Sequence, residues 1–578
     1  MLLPAISMLE SRTLTTSTKS SSSVSSDEIA SDYDVVVIGA GIGGLSAAAI
    51  LSSVYNLKVG VFEAHYRLGG CAHSFPHRSK SGYNYLFDAG PTILLGCSSK
   101  PYNPLRQVMD FVGARCEWIP WDEWGMVTEQ GQWDFKLGEN HFEQGALLKY
   151  GGTTAVEEFR QLRTACIPLT AGAASIPTKA LRGDSFKILS LLPYFDALQK
   201  VIPYADVLDG SFEPFMQRYV RNPFLRAWLD ALAFSISGLP AAQTGAAAMA
   251  YTIYDLHRDG ATMDYPRGGV GAIAEELCDV IRSSGSHVHL STRVSKICVE
   301  EGQPNRAVGI QLDDVSKRNV LAKRGVISNA DIWSLSSLLN EDSHRLSEDQ
   351  KKVLLRDSST KKRTKSFLHL HLGLDIRGLE ARMARRGMMN KGRDEDVDDI
   401  RHWKAHYTVM DRGLMVADPC MDRNMVAVSV PSLLDSSLVM KDGEDPKGNQ
   451  LDKVMIHAYG AGNEDYNEWV GLRRSGRRRR SGEGRAGYDD DVGGDDYERM
   501  KAEGAEYLYR SVGRALDLSV EEIKARSDVA LIGSPLTHER YNRRDKGTYG
   551  SAWGSMISSP ETPLKVPLQL SPNMLRLH

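Results

Sequence analysis

Three glycines, Gly39, Gly41 and Gly44, stand at G-x-G-x-x-G spacing in the stretch DYDVVVIGAGIGGLSAAAILSSVYNLKVGVFEAHYRLGG. Each position has its own requirement. Gly39 permits a tight turn, Gly41 lets the backbone approach a pyrophosphate, and Gly44 lets the following helix pack closely on the strand before it. The phosphates would lie at that helix's N-terminus, where free N–H groups and the macrodipole favour negative charge. Glu63, 19 residues beyond Gly44, ends a second apolar run and is placed to accept from a ribose 2′-hydroxyl. The chemistry supported by this pattern is dinucleotide binding.

A glycine turn alone serves any tight strand-to-helix corner, so the elements around it decide. Val35 to Ile38 is a continuous run of β-branched residues, which predicts a parallel strand covered on both faces. Leu45 to Val54 reads as a helix of small residues and Lys58 to Phe62 as a second strand. Strand, glycine turn, helix and strand come in the order a βαβ nucleotide unit needs.

The residues beyond Glu63 narrow the dinucleotide. AHYRLGGCAHSF carries Arg67 and the glycine doublet Gly69 and Gly70, and YLFDAGPTILLG carries Asp88, Gly90 and Pro91. These two segments resemble the extended motif of the FAD-binding amine oxidase and phytoene desaturase superfamily, in which the first loop passes along the flavin's phosphates and ring. The resemblance implies FAD, because a nicotinamide dehydrogenase needs no second loop. It places Arg67, Gly69, Gly70 and Gly90 beside Gly39, Gly41, Gly44 and Glu63 in the cofactor site.

The chain has 578 residues. At roughly 150 residues per domain, that length admits up to about four domains or one two-lobed enzyme. Apolar residues at 42% and charged residues at 25% are globular usage and exclude a disordered chain. Seventy Lys and Arg against 73 Asp and Glu leave a net charge of −3, so no global field draws the chain onto nucleic acid. The cysteines are scattered, with no C-x-x-C pair, and read as reduced, buried thiols rather than a zinc site. His369 and His371 point the same way from a strand; without a third ligand nearby they read as packed strand histidines, and no metal is expected.

Residues 1–31, rich in Ser and Thr, are a disordered tail or an organelle transit peptide. Ala231 to Tyr254 is 24 residues without a charge, but Gly238 and Pro240 interrupt it, so it reads as a pair of buried helices lining an apolar cavity rather than a span. Residues 186–208 have apolar positions at helical spacing, an amphipathic surface or cavity wall broken by Pro193 and Pro203. Trp118, Trp121, Trp124 and Trp133 either fill a core or wall a long apolar ligand.

YPRGGVGAIAEELCDVI repeats a glycine turn into a helix, STRVSKICVEEGQPNRAVGIQLDD reads as strand, turn, strand, and VISNADIW sets Asn329 in a strand-end loop. With SFLHLHLGLD, VAVSVPSLLD, IHAYGAG and SPLTHERYNRRDKGTYGS, these stretches resemble the carotenoid isomerase, or prolycopene isomerase, branch of the superfamily, from Tyr33 to about Leu568. The implied fold is α/β: a Rossmann-like FAD-binding domain interleaved with a mixed α+β substrate domain. The division expected is 1–31 tail; 32–100 FAD-binding βαβ unit and second glycine loop; 101–255 substrate domain; 256–340 return to the FAD domain; 341–470 substrate domain; 471–500 charged disordered insertion; 501–578 a truncated return to the FAD domain. The family's terminal FAD segment is expected to be missing after Leu568.

The resemblance also implies a function: FAD-dependent, redox-neutral conversion of poly-cis-lycopene to all-trans-lycopene, in a plastid, with peripheral membrane contact and a long apolar polyene as substrate. By the same resemblance Val294 offers its backbone to the adenine, and Asn329 joins the cofactor residues. No catalytic side chain is assigned, because a hydrocarbon gives side-chain acids no heteroatom to grip. A carotene desaturase or retinol-type saturase shares every FAD motif and is the alternative. A non-catalytic flavoprotein or carotenoid carrier is the second.

Overall fold

The computed structural model describes residues 29–90, 93–175, 210–300, 306–340, 364–379, 403–443, 452–472 and 495–548, with isolated positions between them. The expectations for most of the tail, for the amphipathic stretch, for the charged insertion up to Gly494 and for the end of the chain lie outside the described residues.

A six-stranded sheet carries the glycine turn. Its order is His287–His289, Val59–Phe62, Asp32–Ile38, Asn319–Ser328, Ala307–Leu312, Val294–Val299. The first four strands are parallel, with Val35 opposite Val59 and Ile38 opposite both Phe62 and Ser328, and the last two return antiparallel. Both faces of the central strands are covered, which is why these strands read as unbroken apolar runs. On one side Val35, Val37, Val59 and Val61 pack with helices Ile42–Ser53 and Gly271–Ser283. On the other, Val36, Ile38 and Phe62 pack with Ile310, Leu312 and Leu339.

A seven-stranded sheet forms the second lobe. Its order is Ser527–Gly533, Ser366–Asp375, Lys453–Glu464, Met425–Ser429, His406–Met410, Glu123–Thr128, Gly131–Lys136. Helix Asp495–Leu516 covers it, burying Tyr507, Leu508 and Val512 against Leu370, Leu372 and Val428. At the far end Trp124 and Phe135 stack 4.2 Å apart under a helical cap that includes Gly152–Ser175, Pro223–Ser237 and Ala246–His257. The uncharged stretch is thus two buried helices, the first ended by left-handed Gly238 (φ 71°). No helix among the described residues is long and apolar enough to cross a membrane.

Two segments sit elsewhere than expected. Helix Pro104–Val112 packs Met109 and Val112 into the core of the six-stranded sheet, not into the substrate lobe, because its apolar face is buried in one cluster with Leu45, Ala48 and Ala49 of the glycine-turn helix. Strand Ser527–Gly533 and helix Asp495–Leu516 belong to the seven-stranded sheet rather than to the FAD lobe: the strand pairs with Ser366–Asp375, and the helix's apolar face has that sheet as its partner.

Buried Asp88 joins the lobes. Its carboxylate accepts from Ser74 Oγ at 2.6 Å, Val270 N at 3.0 Å and Tyr265 Oη at 2.6 Å. Its carbonyl accepts from His371 Nε2 and Tyr459 Oη of the seven-stranded sheet at 2.9 and 2.8 Å.

Candidate functional site

A cleft of about 1800 Å³ opens where the parallel strands end, lined by Ile38, Phe62 and Asn329. This is the crevice at the carboxyl ends of strands in which open α/β sheets bind ligands. Gly39 leaves the first strand with φ +94°, a left-handed conformation that glycine adopts freely, and its N–H donates to the Phe62 carbonyl at 2.8 Å. Gly41 caps the N-terminus of helix Ile42–Ser53. A Cβ on Gly44 would stand 2.2 Å from the Gly39 carbonyl oxygen, so the helix lies on the turn as closely as the spacing demands.

The second glycine loop touches the first. Gly69 N–H donates to the Ala40 carbonyl at 2.8 Å, and a Cβ on Gly70 (φ +62°) would come within 3.2 Å of Gly41 Cα. The Asn329 side chain lies beneath: a Cβ on Gly41 would meet its Nδ2, and one on Gly43 its Oδ1, each at 2.8 Å. Any side chain at these glycines would fill the floor of the cleft. The cradle fits a pyrophosphate approached by bare backbone.

Glu63 Oε2 accepts from Ala40 N at 2.7 Å and Oε1 from His65 N at 2.8 Å, which fixes the carboxylate at the cleft wall. Burial pushes this carboxyl above its ordinary range, against the pull of those amides and of the Arg543 charge. Val294 begins its strand at the same wall.

The structure therefore brings Gly39, Gly41, Glu63, Gly69, Gly70, Val294 and Asn329 to one cleft. Gly44 lies behind it, in the packing position expected of it. Arg67 and Gly90 are not on the wall. The Arg67 guanidinium turns to the Ser74 carbonyl 3.3 Å away, with its Nε buried and unpartnered, and Gly90 is buried just past strand Tyr83–Asp88.

Sequence reasoning missed part of the site. Asp331, which caps helix Ile332–Leu339 by accepting from Ser334 N at 2.7 Å, lines the cleft, as do Lys501, Arg540, Arg543 and Arg544. The arginines stand in SPLTHERYNRRDKGTYGS, but nothing in their spacing says that helix Pro535–Asn542 folds back over the glycine loops.

His369 and His371 are packed strand histidines: His369 Nδ1 lies 3.1 Å from His538 Nε2, and His371 is bound to Asp88. No group of three or more His, Cys, Asp or Glu fit to hold a metal occurs among the described residues.

Residues 42–370, more than half of the chain, match the flavin containing amine oxidoreductase family. The chain is 25% identical over 527 residues to a chloroplastic prolycopene isomerase of Daucus carota, covering 90% of this chain and 72% of that one. It is 24% identical over 547 residues to an all-trans-retinol 13,14-reductase of Macaca fascicularis, covering 91% and 78%. Among solved structures it resembles an oxidoreductase from Methanosarcina mazei, with a TM-score of 0.52, 17% identity and 91% of both chains covered.

Proposed function

This chain belongs to the flavin containing amine oxidoreductase family, and from that premise we propose that it isomerises a poly-cis carotene, prolycopene, to the all-trans form with no net redox change. It is an FAD-dependent enzyme, and the glycine cradle is where the pyrophosphate would be held. The observation that carries the reading is likeness to plant prolycopene isomerases across 90% of this chain, and 72% and 74% of theirs, in Daucus carota and Arabidopsis thaliana.

Rotation about a conjugated double bond needs its bond order to fall briefly. When bound, FAD supplies reversible electron exchange with the polyene. The chain's own part is to bind, orient and exclude water. Gly41 and Gly70 leave room for the pyrophosphate, and the Glu63 carboxylate would hold the ribose. In the apolar interior of the second lobe Trp124, Trp133 and Trp228 pack on one another under the helical cap, a filled core that excludes water. A carotene comes from lipid, so the reading includes a plastid location and peripheral membrane contact.

The second reading, a reductase or saturase of a conjugated polyene, is favoured by the equally extended match to a retinol reductase. Anaerobic incubation of the purified chain with poly-cis-lycopene and reduced FAD separates the two. All-trans product with unchanged hydrogen count supports isomerisation. Product that has gained or lost hydrogen overturns it.

A further inference from the structure

The glycine loops line the cleft, and so does a later segment that carries Arg540, Arg543 and Arg544 beside Glu539 and Asp545. Helix Pro535–Asn542 ends at Arg543, and Arg540, Arg543 and Arg544 all line the cleft. Arg543 closes the helix in the left-handed region, φ +54° and ψ 22°, with its N–H donating to the Glu539 carbonyl at 3.0 Å. A residue with a Cβ adopts this conformation uncommonly, and Asn, Asp and His do so more readily than Arg. Such positions persist where the surroundings fix them, and they gather at ligand clamps.

The side chain has no structural employment. Arg543 is exposed, and among the described residues its guanidinium makes no hydrogen bond or ion pair. Its charge is nevertheless felt at Glu63 and His65, so it stands near the carboxylate that ends the second strand. It lines the same cleft as the Gly41 turn, where the helix N-terminus favours an anion.

We propose that Arg543 is a further cofactor-binding residue, whose guanidinium grips the pyrophosphate of the dinucleotide together with the glycine turn. The proposal rests on the FAD reading of the cleft. Arginine suits the task because its planar fork matches phosphate oxygens and it stays charged.

The test is the dissociation constant of FAD, and of ADP as a probe lacking the flavin, for the full-length wild type, Arg543→Ala, Arg543→Lys and the exposed control Arg324→Ala. Arg543→Ala is expected to lose about tenfold or more in affinity for both ligands, the size of a charged hydrogen bond forgone. Lysine should restore part of it, the loss should shrink at high salt, and the control should match wild type. FAD affinity unchanged in Arg543→Ala overturns the proposal, as does a loss confined to FAD with ADP unaffected. Should Arg543→Ala not fold, Arg543→Gln takes its place under the same criteria. A wild type that binds no FAD would overturn the cofactor reading itself.

Discussion

His371 and His457 divide the backbone of one residue between them: His371 Nε2 donates to the Asp88 carbonyl at 2.9 Å, and His457 Nε2 accepts from the Asp88 N–H at 3.3 Å. The two are cross-strand partners in the seven-stranded sheet, and their imidazoles stand where a neighbouring strand would bond strand Tyr83–Asp88. A carbonyl only accepts and an amide only donates, so the tautomers are opposite. His371 carries its hydrogen on Nε2 and His457 on Nδ1.

Nitrogen-15 chemical shifts should therefore report an Nε2–H ring at His371 and an Nδ1–H ring at His457. Replacing His457 by Phe should lower unfolding stability by about 1 to 3 kcal/mol, the cost of an unsatisfied buried amide, and replacing His371 by Phe should cost less, because Tyr459 Oη still donates to the Asp88 carbonyl. Urea denaturation measures it, and an Nε2–H tautomer on His457 would refute the assignment.

Stability should fall as pH drops from 7 to 5. Burial lowers His65 and His371 to about 4 and His257, His406 and His538 to about 3. Below about 6.5, where an exposed imidazole titrates, the unfolded chain binds more protons than the folded one, and stability declines. Asp88 has the opposite sign, since burial pushes it up to about 6 and the folded state then holds the extra proton. The histidine shifts are larger and more numerous, so their sign prevails. A melting temperature that is flat or higher at pH 5 contradicts this.

Gly41→Val should yield a folded but colourless protein. Its Cβ would press on Asn329 Nδ2 and its methyls would fill the cleft floor, while the sheet beneath keeps its pairing. Flavin absorbance per mole, read beside far-ultraviolet circular dichroism, checks both halves; a variant as yellow as wild type sinks the assignment.

Glu63→Gln should weaken FAD binding and remove its pH dependence. In the wild type, affinity should decline as pH falls through the raised pKa of Glu63, because the protonated carboxyl loses acceptor capacity for the ribose hydroxyls. Titrating the affinity of wild type and Glu63→Gln downward from pH 7 decides it. Two parallel profiles count against the role.

Much of the first lobe was legible in the sequence because its signals are local. Glycine spacing, a β-branched run and a carboxylate at a fixed offset all lie within residues 32–63, and the observed strand and helix boundaries differ from those expected by only a few residues. The arginines of the cleft were not legible. Arg543 reaches the cleft through the packing of helix Pro535–Asn542, a tertiary event that no spacing encodes. Strand Ser527–Gly533 was misplaced for the same reason: SDVALIG suits the edge of either sheet, and pairing with Ser366–Asp375 settles it. Arg67 shows the converse, a motif position whose guanidinium points away from the cleft.

The pairing of Ile38 with Ser328 also constrains how the molecule can be made. Strand Asp32–Ile38 leaves the ribosome long before its neighbour Asn319–Ser328 is synthesised, and at about 5 to 20 residues per second the wait is about 15 to 60 s. Until then Val35, Val36 and Val37 border an open sheet edge, a template for wrong partners. Nascent chains released before residue 319 should be protease-sensitive in the glycine-turn unit and bind chaperones, whereas chains extended past residue 340 should protect it. Equal protection in both would mean that the first βαβ unit folds without strand Asn319–Ser328.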